Sequence, residues 1–206
     1  MFATQVVGGV NHLVRRLPNG AIYALGALPF VWLVWMVVTG GLGPDPVKEV
    51  ERRVGLWGLQ FLIAALAVTP ARRLGFNLVR IRRALGLLAF FYIALHFVTW
   101  VVLDMALDWG QITSALWKRP YILIGFAAFL AMVPLAVTST NGWIRRLGPK
   151  SWQRLHRLTY AVGIAGAVHY LLLVKVITVE PLIYAGAVGA LLAVRLTPKA
   201  RQSQTA

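Results

Sequence analysis

The chain has no cysteine and very little negative charge: of 206 residues six are acidic, and Asp, Glu, Lys and Arg together make 13%. Without cysteine there is no disulfide framework, no thiolate zinc or iron–sulfur site and no cysteine nucleophile. Histidine is the one strong nitrogen ligand left, and there are four. Soluble domains are about 45–50% apolar and about 25% charged. A chain with 59% hydrophobic residues and a mean hydropathy of +0.71 is not disordered and is not expected to be a soluble globule.

A net charge of +15 would point to nucleic acid in a soluble protein, but the basic residues here are sorted by position, and no nucleic-acid partner is expected. A membrane-spanning helix needs about 20 mostly apolar residues. Runs at about 21–39, 54–70, 84–103, 121–138, 158–174 and 177–194 are the candidates. The last holds only 14 uninterrupted apolar residues, Pro181–Val194, and charge placement decides for it.

Alternate segments carry Arg15, Arg16, Arg72, Arg73, Arg80, Arg82, Arg83, Arg145, Arg146, Lys150, Arg154, Arg157, Arg195, Lys199 and Arg201, which are 15 of the 21 basic residues, and no acid. The other segments carry Lys48, Arg52, Arg53, Lys118, Arg119 and Lys175 with all six acids. Basic residues collect in cytoplasmic loops. The expected architecture is therefore an all-α, single-domain bundle over 1–206, with six transmembrane helices and both termini cytoplasmic. The first run is too long for the apolar region of a signal peptide and lacks a cleavage motif, so it reads as a retained helix. Gly40–Pro46, Pro70 and Gly142–Pro149 read as loops from their glycine and proline. The 12 residues after Val194 are too few to fold into a nucleotide-binding domain.

Polar side chains in hydrocarbon are expensive and mark ligand sites or ion paths. His96 lies 12 residues into the third run and His169 lies 11 residues past Leu158, about 18 and 17 Å deep at 1.5 Å per residue. Two neutral imidazoles at one level across a bundle are what a six-coordinate heme iron requires. Phe90, Phe91, Tyr92, Phe97 and Trp100 flank one ligand, and Gly163, Ala165, Gly166 and Ala167 precede the other, so a flat apolar macrocycle has aromatic walls and room to approach a backbone. The bland alternative is that each histidine hydrogen-bonds a neighbouring helix.

His156 stands 13 residues before His169, about 20 Å along the axis. That is the spacing of a second heme, although on an ideal helix the two side chains point about 140° apart. The matching position on the third run is Arg82, a poor iron ligand because it stays protonated. His156 also reads as an interfacial histidine among arginines, and His12 has nothing polar nearby. Arg82, Arg83, Arg154 and Arg157 are first of all cytoplasmic anchors; they are also the candidates to pair with heme propionates or a flavin phosphate.

Gly55–Arg73 (GLWGLQFLIAALAVTPARR), Arg82–Asp104, Arg119–Gly148 and Ser151–Tyr170 (SWQRLHRLTYAVGIAGAVHY) closely resemble the heme-binding membrane subunits of bacterial periplasmic methionine sulfoxide reductase systems, the MsrQ family. More distantly the chain is similar to ferric reductase and NADPH oxidase transmembrane domains, which are six-helix electron carriers with paired histidines on the third and fifth helices. It departs from that wider pattern at Arg82, where an inner histidine would stand, and in having no C-terminal flavin and nicotinamide domain.

The resemblance implies a heme b carrier fed by the quinol pool or a cytoplasmic flavin reductase, delivering electrons to a periplasmic molybdenum-containing reductase that repairs oxidised methionines. It also implies FMN. Asp104 and Asp108 would be docking residues on the outer face. Two other readings stay open: a stand-alone transmembrane ferric or oxygen reductase, and a heme-free membrane scaffold or transporter.

Overall fold

In hydrocarbon a backbone has no hydrogen-bond partner but itself, so apolar runs of this length close their bonds internally as helices. In a computed structural model, which describes residues 2–174, 176 and 178–197, every regular element is helical. Lys175, Lys199 and Arg201 of the charge argument lie outside the described residues. The helices are α1 (Phe2–Arg16), α2 (Asn19–Val38), α3 (Pro46–Ala71), α4 (Arg82–Thr99), α5 (Trp109–Lys118), α6 (Pro120–Val137), α7 (Asn141–His156), α8 (Leu158–Leu173) and α9 (Val179–Leu196).

Four of these carry the centre of the bundle. α3 packs along α4, α6 along α8, and α8 and α3 both meet α9. Leu62 and Leu66 of α3, Ala89 of α4, Met132 and Leu135 of α6 and Val162 of α8 form one buried apolar cluster. α2 leans on α4 from outside through Tyr92, whose hydroxyl donates to the Gly26 carbonyl (2.7 Å) and accepts from the Phe30 amide (3.2 Å). The hydroxyl thereby stands inside the turn next to Pro29 and satisfies both groups of that rung.

Five helices are long and apolar enough to cross a membrane: Gly20–Val38, Pro46–Leu74, Val79–Asp104, Pro120–Val137 and Val179–Leu196. The run expected at 177–194 is among them. The run expected at 158–174 is α8, with 16 residues or about 24 Å, short of a hydrocarbon core of about 30 Å. The chain passes from α7 into α8 through Arg157 alone, which keeps right-handed helical angles (φ −67, ψ −22).

Two loop expectations are corrected. Pro70 lies in the last turn of α3, not beyond it. Gly142–Pro149 is helical apart from one kink at Gly148, whose φ of 72 and ψ of 155 suit a residue without a Cβ. Pro149 restarts the helix where a missing N–H does no harm, and Thr140 caps the start by accepting from the Trp143 amide. The basic segment between the fourth and fifth runs is thus a bent helix. α4 ends in a π-helical turn, Trp100–Asp104, which leads by a short connection to α5.

Candidate functional site

His96 on α4 and His169 on α8 face one another with ring centroids 6.3 Å apart and planes 78° apart. Each ring is fixed in the same way by the helix next to it. His96 Nδ1 is 2.9 Å from the Glu51 carbonyl of α3, and His169 Nδ1 is 2.7 Å from the Tyr121 carbonyl of α6. A carbonyl oxygen only accepts, so in both rings Nδ1 carries the proton and donates, and Nε2 keeps its lone pair. A hydrogen bond of this kind to the far ring nitrogen sets the tautomer of a metal-bound histidine.

Four residues after each of these carbonyls stands a glycine. A Cβ on Gly55 would lie 3.0 Å from His96 Nδ1, and one on Gly125 would lie 2.7 Å from His169 Nδ1. Gly55 and Gly125 therefore let each imidazole come flat against the helix that orients it. The pattern of carbonyl, glycine and histidine occurs twice, once between α3 and α4 and once between α6 and α8.

Both rings border one cavity of about 1270 Å³ including its open mouth. Leu59, Leu62, Ile93, Ala128, Met132 and Val162 line its apolar part; Phe97, Phe126 and Phe129 form an aromatic wall, with Phe97 stacked on both of the others at 5.6 and 4.9 Å. Lys48, Glu51, Arg52, Asp104 and Arg119 border it as well. No three His, Asp or Glu side chains gather to hold a metal ion among the described residues. Two imidazoles alone do not make a closed metal site, but they complete one whose other four ligands come from a tetrapyrrole. Two in-line metal–nitrogen bonds of about 2 Å, with roughly 1.2 Å from each nitrogen to its ring centre, put the centroids of such a pair about 6.4 Å apart. The residues present fit that group.

The family of ferric reductase like transmembrane components matches residues 53–167, which is more than half of the chain. The chain is also 49% identical over 192 residues to the protein-methionine-sulfoxide reductase heme-binding subunit MsrQ of Rhodospirillum rubrum, covering 92% of each. It is 48% identical over 182 residues to the MsrQ of Brucella anthropi (87% of this chain, 82% of the relative) and 43% identical over 184 residues to that of Caulobacter vibrioides (88% of each). The chain belongs to the MsrQ family. No solved structure matches it.

In this MsrQ-family chain His156 stands apart from the facing pair. Its ring stacks on Trp152 at 3.9 Å, and its Nε2 is 3.0 Å from Thr138 Oγ1. The Thr138 hydroxyl gives its one proton to the Pro134 carbonyl at 2.6 Å, so it accepts from His156, whose Nε2 is the protonated nitrogen. Burial, helped by the nearby charge of Arg82, holds His156 below the usual imidazole range. A depressed value means that the fold favours neutral His156: its contribution is complete above about pH 6.5 and is lost as pH falls through the lower folded value. We expect thermal unfolding scans of the purified protein to show a midpoint that drops on acidification below about pH 6.5. The slope should be shallower in His156→Gln.

Of the arginines singled out in the sequence, Arg82 lies half-buried near His156, Arg83 bonds Asn141 Oδ1 at 2.7 Å, and Arg154 and Arg157 are exposed. None of the four borders the cavity. Among the aromatics, Phe97 and Trp100 border it, whereas Phe90 stacks on Phe129, Phe91 meets Phe30 edge-on and Tyr92 faces α2. His12 is exposed on α1.

Asp104 and Asp108 are both occupied within the fold. Asp104 takes Lys48 Nζ at 2.5 Å. Asp108 caps α5 by accepting from the amide and side-chain nitrogens of Gln111, bonds that hold its carboxyl below the usual range. Asp108→Ala should loosen the start of α5, read as faster amide exchange confined to Trp109–Lys118. Sequence reasoning missed Glu51, Gly55, Tyr121, Gly125 and Phe126. The signal that finds them is a glycine on each helix facing a histidine.

Proposed function

We propose that this chain is a heme b electron carrier of the bacterial inner membrane, the membrane subunit of a periplasmic methionine sulfoxide reductase system. Electrons enter from a quinol or flavin donor and leave to a molybdenum-containing catalytic subunit, where sulfoxide is reduced. The observation that carries this reading is the pair of imidazoles with unprotonated Nε2 atoms, each locked by a backbone carbonyl and bordering one aromatic-walled cavity. The relatives are named as heme-binding subunits, which supports it.

His96 and His169 are the residues that would hold the heme iron, and heme so held would supply one-electron transfer. Gly55 and Gly125 set the distance of each imidazole from its supporting helix, and the carbonyls of Glu51 and Tyr121 hold the ring protons. The apolar and aromatic walls would surround the bound group with hydrocarbon. FMN, which the family resemblance also implies, finds no comparable set of residues among those described, and no step is assigned to it. The reading is of one heme, because His156 does not border the cavity and its ring stacks on Trp152 with no second histidine facing it among the described residues.

α2, α3, α4, α6, α8 and α9 make six spans with both termini cytoplasmic. The basic segments Arg72–Arg83 and Arg145–Arg157 then lie on the inner side, with Lys48, Asp104 and Arg119 at the outer end.

Reduced-minus-oxidised spectra of membranes test the assignment. His96→Ala and His169→Ala should each remove most of the heme absorbance, and His156→Ala should leave most of it. Unchanged spectra in the first two end the assignment. Reduction of ferric citrate by the purified protein without a partner would favour the stand-alone reductase instead.

A further inference from the structure

The outer side of a membrane protein is where basic residues are fewest, and the six-span reading leaves only six there. Three of those six, Lys48, Arg52 and Arg119, border the cavity that holds His96 and His169. Lys48 is taken by Asp104 at 2.5 Å and lies 3.6 Å from Glu51. Arg52 is oriented by Glu49, which accepts from its Nε and one terminal nitrogen at 3.1 Å each, and its other terminal nitrogen has no partner among the described residues. Arg119, the residue before α6, is exposed, and its side chain makes no hydrogen bond or ion pair among the described residues. Glu51 and Asp104 border the mouth beside Lys48, and past His96 and His169 the cavity runs down to the apolar Leu62, Met132 and Val162.

An amphiphilic ligand enters such a slot apolar edge first and keeps its anionic edge at the charged mouth. A guanidinium presents parallel N–H donors matched to a carboxylate.

Resting on the heme reading above, we propose that Arg119 and Arg52 bind the two propionate carboxylates of the heme at the outer mouth. The macrocycle then stands with its carboxylate edge toward the periplasmic partner, and Arg82, Arg83, Arg154 and Arg157 take no part in holding it. The two arginines position the group and set the charge around it.

The test is a spectroelectrochemical titration of the purified holoprotein together with its heme content after repeated detergent washes. Wild type, Arg119→Gln, Arg52→Gln, the Arg52→Gln/Arg119→Gln double variant and an Arg82→Gln/Arg154→Gln double variant are compared. A cation beside the heme favours the reduced state, so the outer double variant should titrate at a lower potential and lose heme about tenfold faster, as for a lost charge-assisted bond. The inner double variant should match wild type. Wild-type potential and retention in the outer double variant would overturn the proposal, as would a shift found only in the inner one. Arg119→Gln removes no side-chain bond among the described residues, so this single variant decides the matter even where the double variant fails to assemble. Absence of heme from the wild type, or its full retention in His96→Ala, would instead remove the reading on which the proposal rests.

Discussion

Gly125→Ala should abolish most heme binding although it adds one methyl group and changes no ligand. The added Cβ would sit 2.7 Å from His169 Nδ1 and 2.9 Å from Cε1, distances at which something must move. The ring cannot yield along its own bond, because Nδ1 is tied to the Tyr121 carbonyl on the same helix face. If the ring retreats, it loses that bond and carries Nε2 out of line with His96. If α6 retreats, its packing on α8 opens. Misplacement by about 1 Å is enough to undo such a constellation. Gly55→Ala is the milder counterpart, with a contact of 3.0 Å to His96 Nδ1, and should reduce heme content in part. Gly86→Ala is the control: it lies on α4 as His96 does, but it does not border the cavity and nothing stands within 4 Å of its added Cβ, so its spectrum should match wild type. Heme-to-protein ratios of the three purified variants check the order, and equal ratios for Gly125→Ala and Gly86→Ala would refute the fit described for the histidines.

The five long apolar helices were legible in the sequence because apolar runs bounded by arginines leave the chain few choices, and counting residues at 1.5 Å each put His96 and His169 at one level, where their rings do face each other. What orients the rings was not legible. The Glu51 carbonyl lies 45 residues from His96, and the Tyr121 carbonyl 48 residues from His169. A backbone carbonyl has no residue type to announce it. The glycines beside the rings carry a signal only once it is known which helix faces which. Gly142–Pro149 was misread as a loop because glycine and proline were counted together, whereas in the fold they act at one kink, Gly148–Pro149, with Thr140 starting a regular helix before it. Phe90, Phe91 and Tyr92 were misjudged as walls of the site for a related reason. Successive residues of a helix turn through about 100°, and three adjacent aromatics cannot all face one cavity.

Arg195 illustrates how a residue counted as a cytoplasmic anchor acquires a structural task, and its removal should destabilise the bundle in a way that one further substitution reverses. In α3 the Leu66 carbonyl would normally accept from the amide four residues on, but that residue is Pro70, which has no N–H. Arg195 of α9 reaches across and donates from Nη2 to the Leu66 carbonyl, with its guanidinium 4.7 Å over the ring of Tyr160. Its Nε and Nη1 are buried with no partner among the described residues. A buried charge without a counter-ion is not itself a source of stability. What Arg195 contributes is the donor that Pro70 lacks, together with its stacking on Tyr160. Arg195→Met keeps much of the volume and leaves a buried carbonyl bare, a loss of about 1–3 kcal/mol. Pro70→Ala restores the helical N–H, so in that background Arg195→Met should cost much less. Thermal unfolding of the four proteins of this cycle measures the coupling directly. Additive effects would mean that Arg195 acts through Tyr160 or surface charge alone, and a coupling of about 1 kcal/mol or more would establish the carbonyl of Leu66 as its partner.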